Sequence, residues 1–132
     1  MGRDNQPALR PAKGLEQQPM KESFWTTLDT LVRSAELVID RPRGSAHPRY
    51  PSLAYPLDYG YLKGTTGGDG DGLDAWRGTY AEAKLDAIVC TVDLLKKDVE
   101  VKLLLGCTDE EKTAICDFHN DSEYMAAILL SR

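Results

Sequence analysis

Asp69, Asp71 and Asp74 sit in a glycine-rich run, directly after the aromatic stretch Tyr55-Pro56-Leu57-Asp58-Tyr59-Gly60-Tyr61. Residues two apart share one side of an extended backbone, so Asp69 and Asp71 point the same way and Asp74 points away. Gly70 and Gly72 permit backbone angles that turn Asp74 back. Carboxylates brought to one point repel each other unless a cation sits among them. An oxygen-only donor set suits Mg2+, or Mn2+, rather than Zn2+. A second arm follows at Asp98 and Glu100, with Lys102 on the same face of an alternating strand and Val99, Val101 and Leu103 on the other. Asp40 is a candidate third arm. The chemistry open to such a set is metal-assisted hydrolysis of a phosphoanhydride. Cations offset the substrate's charge, a water is deprotonated near neutral pH, and positive groups hold the leaving phosphate.

The tyrosine stretch reads as Tyr-Pro-x-Asp-Tyr-Gly-Tyr and the glycine run as Asp-Gly-Asp-x-x-Asp. Before them stands Ile39-Asp40-Arg41-Pro42-Arg43-Gly44-Ser45-Ala46-His47-Pro48. In this order the motifs resemble the soluble family I inorganic pyrophosphatases, and specifically a short bacterial branch of them. The resemblance runs over Glu36 to Lys102 and, more weakly, the tail. It implies a small five-stranded barrel of OB-like architecture and Mg2+-dependent hydrolysis of pyrophosphate. It also implies roles. Asp69 and Asp74 match metal ligands. Asp71 matches the carboxylate that helps deprotonate the bridging water. Glu100 takes the place of a metal-binding aspartate two before Lys102. Asp40 aligns with an acidic position of the first strand. A further family aspartate falls at Leu95, so Asp93 or Asp98 would have to supply it, and Asp98 is preferred because it lies on the Glu100 face. Arg49 matches a phosphate-binding lysine, and its guanidinium can grip phosphate with two parallel bonds. Tyr59 and Lys102 complete the phosphate-binding set, with Arg77 and Lys63 as further cations.

The chain also departs from longer members. A hairpin carrying a phosphate-binding arginine is missing between Arg49 and Tyr55. Pro51 replaces a frequent glutamate, Gly72 replaces a proline, and Tyr124 lacks the lysine that follows the family's late tyrosine. Arg41, Arg43 and Arg49 are the cations available to compensate. Two other readings therefore stand beside pyrophosphate hydrolysis. One is a hydrolase of the same fold acting on another phosphoanhydride; the other is a non-catalytic module that binds a phosphorylated ligand or a protein.

The chain of 132 residues fits one domain. Residues 1–22 are rich in Gln, Pro, Lys, Arg and Gly and read as a disordered tail, leaving residues 23–132 for the fold. The start lacks the apolar core of a secretory signal, and no apolar run is long enough to span a membrane. A net charge of −5 argues against nucleic acid as the main partner but not against a metal-bridged phosphate. Cys90, Cys107 and Cys116 lie in or near apolar segments without a Cys-x-x-Cys pair, and fit reduced core thiols of a cytoplasmic protein. Apolar residues in Phe24 to Val32 and Met125 to Leu130 fit either a core or a homo-oligomer interface.

The elements that must position these groups follow from periodicity. Ser23 can cap a helix with Phe24, Leu28, Leu31 and Val32 on one face. Glu36 to Asp40 is a short strand, Arg41 to Pro56 an irregular loop, and Leu73 to Gly78 another strand. Leu85 to Leu95 is an apolar strand buried on both faces, turning at Lys96-Lys97 into the strand Asp98 to Leu105. Thr108 and Glu111 form a capping box that starts a helix to His119. Ser122 to Leu130 reads as a second helix, with a strand as the alternative. About five strands then two helices suit a closed or partly open barrel with helices against it.

Each candidate also has a structural reading. Asp98, Glu100 and Lys102 fit the solvated face of a half-buried strand. The alternating tyrosines fit core filler, and Trp25 and Trp76 fit packing. His47 suits a surface or loop-fixing group, and His119 suits a cation at a helix C-terminus. No catalytic triad, P-loop or dinucleotide fingerprint is present.

Overall fold

The computed structural model describes residues 20–67 and 70–132. Most of the expected tail, residues 1–19, lies outside the described residues, and its last three residues are helical. Helix α1 (Met20–Arg33) thus begins three residues before Ser23. Strands β1 (Glu36–Arg41), β2 (Asp58–Lys63), β3 (Leu73–Arg77), β4 (Leu85–Asp93) and β5 (Asp98–Leu105) follow, then helix α2 (Asp109–His119) and strand β6 (Met125–Ser131).

The strands form one mixed sheet in the order β1-β2-β3-β5-β4-β6, with β3 and β5 parallel and the other neighbours antiparallel. The sheet has six strands rather than five and is not closed into a barrel. The extra strand is β6, where a helix was the first expectation. Met and Ala favour helix weakly, but Met125, Ala127 and Leu129 are half-buried while Ala126, Ile128 and Leu130 are exposed. That two-residue period lets β6 pair with β4 from Asp93↔Met125 to Ala87↔Ser131, and the tertiary ladder overrides propensity. With β1 at one edge and β6 at the other, no pair is left to seal the sheet.

Helix α1 packs on one face. Its buried contact is Trp25, with Leu28 and Val32 beside it, against Leu62, Ala75, Ile88 and Leu103. Phe24 and Leu31, expected on the docking face, stay exposed, because Trp25 anchors the helix about one residue-step around its axis. On the other face lies a core of Tyr55, Leu57, Trp76, Ala87, Val89 and Leu104, closed by Ile115 and Phe118 of α2. The capping box is present: the Thr108 hydroxyl accepts from the Glu111 N–H at 3.1 Å and Glu111 accepts from the Thr108 N–H at 2.9 Å.

One close approach and one positive φ explain glycines in the motifs. A Cβ on Gly60 would run into the Val38 carbonyl of β1, so only glycine fits between the flanking tyrosines. Gly70 has φ +91, a left-handed turn that reverses the chain into β3. Cys107 is buried, Cys90 and Cys116 are half-buried, and all three are free thiols. Among the described residues no helix is long and apolar enough to cross a membrane.

Candidate active site

Strand β5 carries charges inward. Its alternation is as expected, but Glu100 and Lys102 are buried while Val99 and Val101 face water. The charged face is therefore not the solvated one. The parallel register of β3 on β5 sets Ala75 beside Leu103, which brings Asp74 next to Lys102. The pairing Tyr59↔Trp76 brings β2's tyrosine to the same place. The Lys102 ammonium donates to the Tyr59 hydroxyl at 2.8 Å, to Asp74 Oδ2 at 2.8 Å and to Glu100 Oε1 at 3.0 Å. An ammonium has three N–H donors, and here each finds an acceptor.

This arrangement sets the protonation states. Burial alone would lower the Lys102 pKa, but Tyr59 and Asp74 outweigh it and raise the pKa, so the charge is retained. Burial raises the Tyr59 pKa strongly, which keeps the phenol protonated. Burial also raises the Glu100 pKa against the opposing pull of Lys102.

The ammonium forms the floor of a cavity of about 200 Å³. On one wall Arg49 reaches across from the loop between β1 and β2, its Nη2 3.2 Å from Asp93 Oδ2. Asp93 is buried at the end of β4 and also accepts from the Leu95 and Lys96 N–H groups at 2.9 and 3.0 Å. Burial pushes its pKa up, but these bonds and Arg49 more than reverse that and hold it below the usual value. The aromatic part of the lining is built from His47, Tyr50, Tyr55 and Phe118.

Both histidines organise this lining. His47 Nδ1 accepts from the Arg49 and Tyr50 N–H groups at 3.0 and 3.3 Å, which fixes the loop that carries Arg49. His119 is not a helix-end cation. Burial first, then Lys102 and His47, push its pKa down to about 3, and its Nε2 accepts from Trp76 Nε1 at 3.1 Å.

Of the residues singled out in the sequence, Tyr59, Asp74, Glu100, Lys102 and Arg49 meet at this cavity. Asp69 lies outside the described residues. Asp71 is exposed on the turn before β3, and neither it nor Asp98 lines the cavity. Asp98 pairs with Asp93 across the hairpin and lies 3.4 Å from Lys96; its Oδ1 is buried without a hydrogen-bond partner. Asp93, the alternative to Asp98, lines the cavity and Asp98 does not. The signal for it was in the sequence: Val89, Thr91 and Asp93 alternate on one face of a buried strand, so a carboxylate there must point at a partner. Asp40 is exposed at the irregularity in the β1–β2 register and does not line the cavity. Arg77 is spent on structure, donating to the Gly78, Tyr80 and Ala81 carbonyls at 2.8 to 3.0 Å.

Asp74 and Glu100 are hard oxygen donors of the kind Mg2+ takes, and Asp71 is one turn from Asp74. Among the described residues, however, no three His, Cys, Asp or Glu side chains converge as a ready metal site. Asp74 and Glu100 instead share Lys102.

No protein-family model matches the chain, and no curated protein matches it. Among solved structures, the inorganic pyrophosphatase from Helicobacter pylori is similar, with a TM-score of 0.52 at 15% identity over 72% of this chain and 81% of that chain. Similarity at that identity concerns architecture, and the chain thus has a pyrophosphatase-like fold.

Proposed function

We propose that this protein is a metal-dependent phosphoanhydride hydrolase acting on inorganic pyrophosphate in the cytoplasm. The observation that carries the reading is the Lys102 ammonium held by Tyr59, Asp74 and Glu100 at the floor of a cavity, with Arg49 on the wall. Asp74 and Glu100, with Asp71 from the preceding turn and, by the sequence motif, Asp69, are the carboxylates that would hold Mg2+ or Mn2+. When bound, such a cation offsets substrate charge and lowers the pKa of a bound water.

The chain's own groups do the rest. Lys102 stays protonated and supplies a fixed positive charge where phosphate oxygens would lie. Tyr59 stays protonated and serves as a donor rather than a base. Arg49 is partly exposed, bonded to Asp93 through one nitrogen and placed over the Tyr50 ring, so its remaining N–H groups can serve a leaving phosphate. Asp71 is the carboxylate assigned to take the proton of the attacking water. Attack of that water on one phosphorus releases two phosphates.

A second reading draws on Lys102 pairing with both Asp74 and Glu100. With its carboxylates engaged in this way, the cavity can bind a phosphorylated ligand without turnover. Phosphate release from pyrophosphate at neutral pH, with Mg2+ or with EDTA and beside ATP, separates the two. Metal-dependent release from pyrophosphate but not ATP is the expected result. No release by folded protein that still binds pyrophosphate refutes hydrolysis in favour of the binding module.

A further inference from the structure

The face of the sheet that carries α1 is only partly covered by it. Beyond the helix, the register lines up Val101, Cys90 and Ile128 across β5, β4 and β6, then Val99, Val92 and Ala126. The next row is Leu94 beside Tyr124, whose carbonyl accepts from the Leu94 N–H at 2.9 Å. No charged residue stands in these rows. Their exposure is large: Val92 43%, Leu94 63%, Val99 64%, Val101 39%, Tyr124 41%, Ile128 58% and Leu130 44%. Together they leave on the order of 600 Å² of contiguous apolar surface, the top of the range for a monomer and near the ~800 Å² that one partner gives a standard interface. Phe24 and Leu31, exposed on α1, extend the same apolar character to the helix.

We infer that this face is the interface of a homodimer, with two copies packed sheet on sheet about a two-fold axis. Three observations favour a second copy over other occupants. The area, on the order of 600 Å², is about three quarters of what one partner of a standard interface contributes, and Phe24 and Leu31 of α1 add to it. The face is uncharged, so two chains of net charge −5 meet there without repulsion between facing groups. The occupant must be richly apolar, and residues 1–19 carry only Leu9 and Leu15 as large aliphatic side chains, whereas a second copy brings the same apolar rows. Flat rows of β-branched side chains interdigitate with their like at a sheet separation of about 10 Å. Edge pairing through β6 is not the mode, because the Asn120 side chain already occupies the outer edge at Ala127. Its Nδ2 donates to the Ala127 carbonyl at 3.2 Å and its Oδ1 accepts the Ala127 N–H at 3.0 Å.

The test is the molar mass of the full chain by light scattering across micromolar concentrations, beside the double variant Val99→Lys, Ile128→Lys. Both side chains are already in water in the isolated fold, so the variant should keep its cooperative thermal melt. The expected result is a mass twice 14.6 kDa for the natural chain. The variant should be monomeric, with association weakened by more than about 100-fold. A natural chain that is monomeric throughout overturns the inference, even if it captures a different protein. So does a variant that remains dimeric, which would put the contact on another face.

Discussion

His119→Gln tests whether the buried wall of the cavity depends on a neutral imidazole. Unfolded, His119 takes up a proton near pH 6.5; folded, it resists protonation down to about pH 3. A folded pKa depressed in this way gives stability that is complete above pH 6.5 and is lost as the pH falls. Between pH 6.5 and 5 the loss approaches about 1.4 kcal/mol per unit, or about 2 kcal/mol in total. The side chain is only 6% exposed, so solvent does little to blunt the effect. Glutamine can accept the Trp76 N–H through its amide oxygen and does not titrate. His47, also shifted down, is common to both proteins and cancels in the difference. Urea unfolding followed by tryptophan fluorescence at pH 7.5, 6.5 and 5.0 measures the effect, because Trp25 and Trp76 are both buried. The natural chain should lose about 2 kcal/mol more than the variant between pH 6.5 and 5. Parallel losses in the two proteins would refute a neutral, buried His119 and with it the account of the aromatic wall.

Three further outcomes follow from the same geometry. Lys102→Met leaves Asp74 and Glu100 without their cation and should cost about 3–5 kcal/mol in urea unfolding, with loss of pyrophosphate binding by calorimetry; an unchanged midpoint would contradict the hub. Arg49→Ala removes a partly exposed contact, so stability should move by less than about 1 kcal/mol while KM for pyrophosphate rises about tenfold or more, as steady-state phosphate release would show. Asp71→Asn should abolish Mg2+-dependent turnover while Asp98→Asn, which removes only a contact to Lys96, retains it; the reverse pattern in the same assay would move the base to Asp98.

The elements were largely legible because their signals are local. The Thr108–Glu111 box starts α2 by bonds within one turn, and the apolar run from Leu85 dictates a strand; it is buried on both faces only as far as Val89, because nothing covers Val92 and Leu94 on the α1 side. Met125 to Ser131 was harder to read. Alanine, methionine and leucine fit helix or strand, and only the ladder with β4 chooses between them. The inward side of β5 was hidden for a similar reason. Alternation separates two faces but does not say which is wet, and the charged face is the buried one because Asp74 and Tyr59 arrive from β3 and β2 to satisfy it.

By itself the sequence determined the candidate set: a tyrosine–glycine segment, a carboxylate turn, and the Glu100–Lys102 pair on one side of a strand. Those are properties of residue type and spacing, written within a few residues of each other. Tertiary structure alone decided which of them meet. Lys102 touches Tyr59 and Asp74, 43 and 28 residues away, because β2, β3 and β5 are neighbours in a fixed register. A slip of one residue in that register would turn every one of these side chains to the opposite face. That Asp93 rather than Asp98 lines the cavity has the same cause: the end of β4, not the start of β5, points its carboxylate at Arg49.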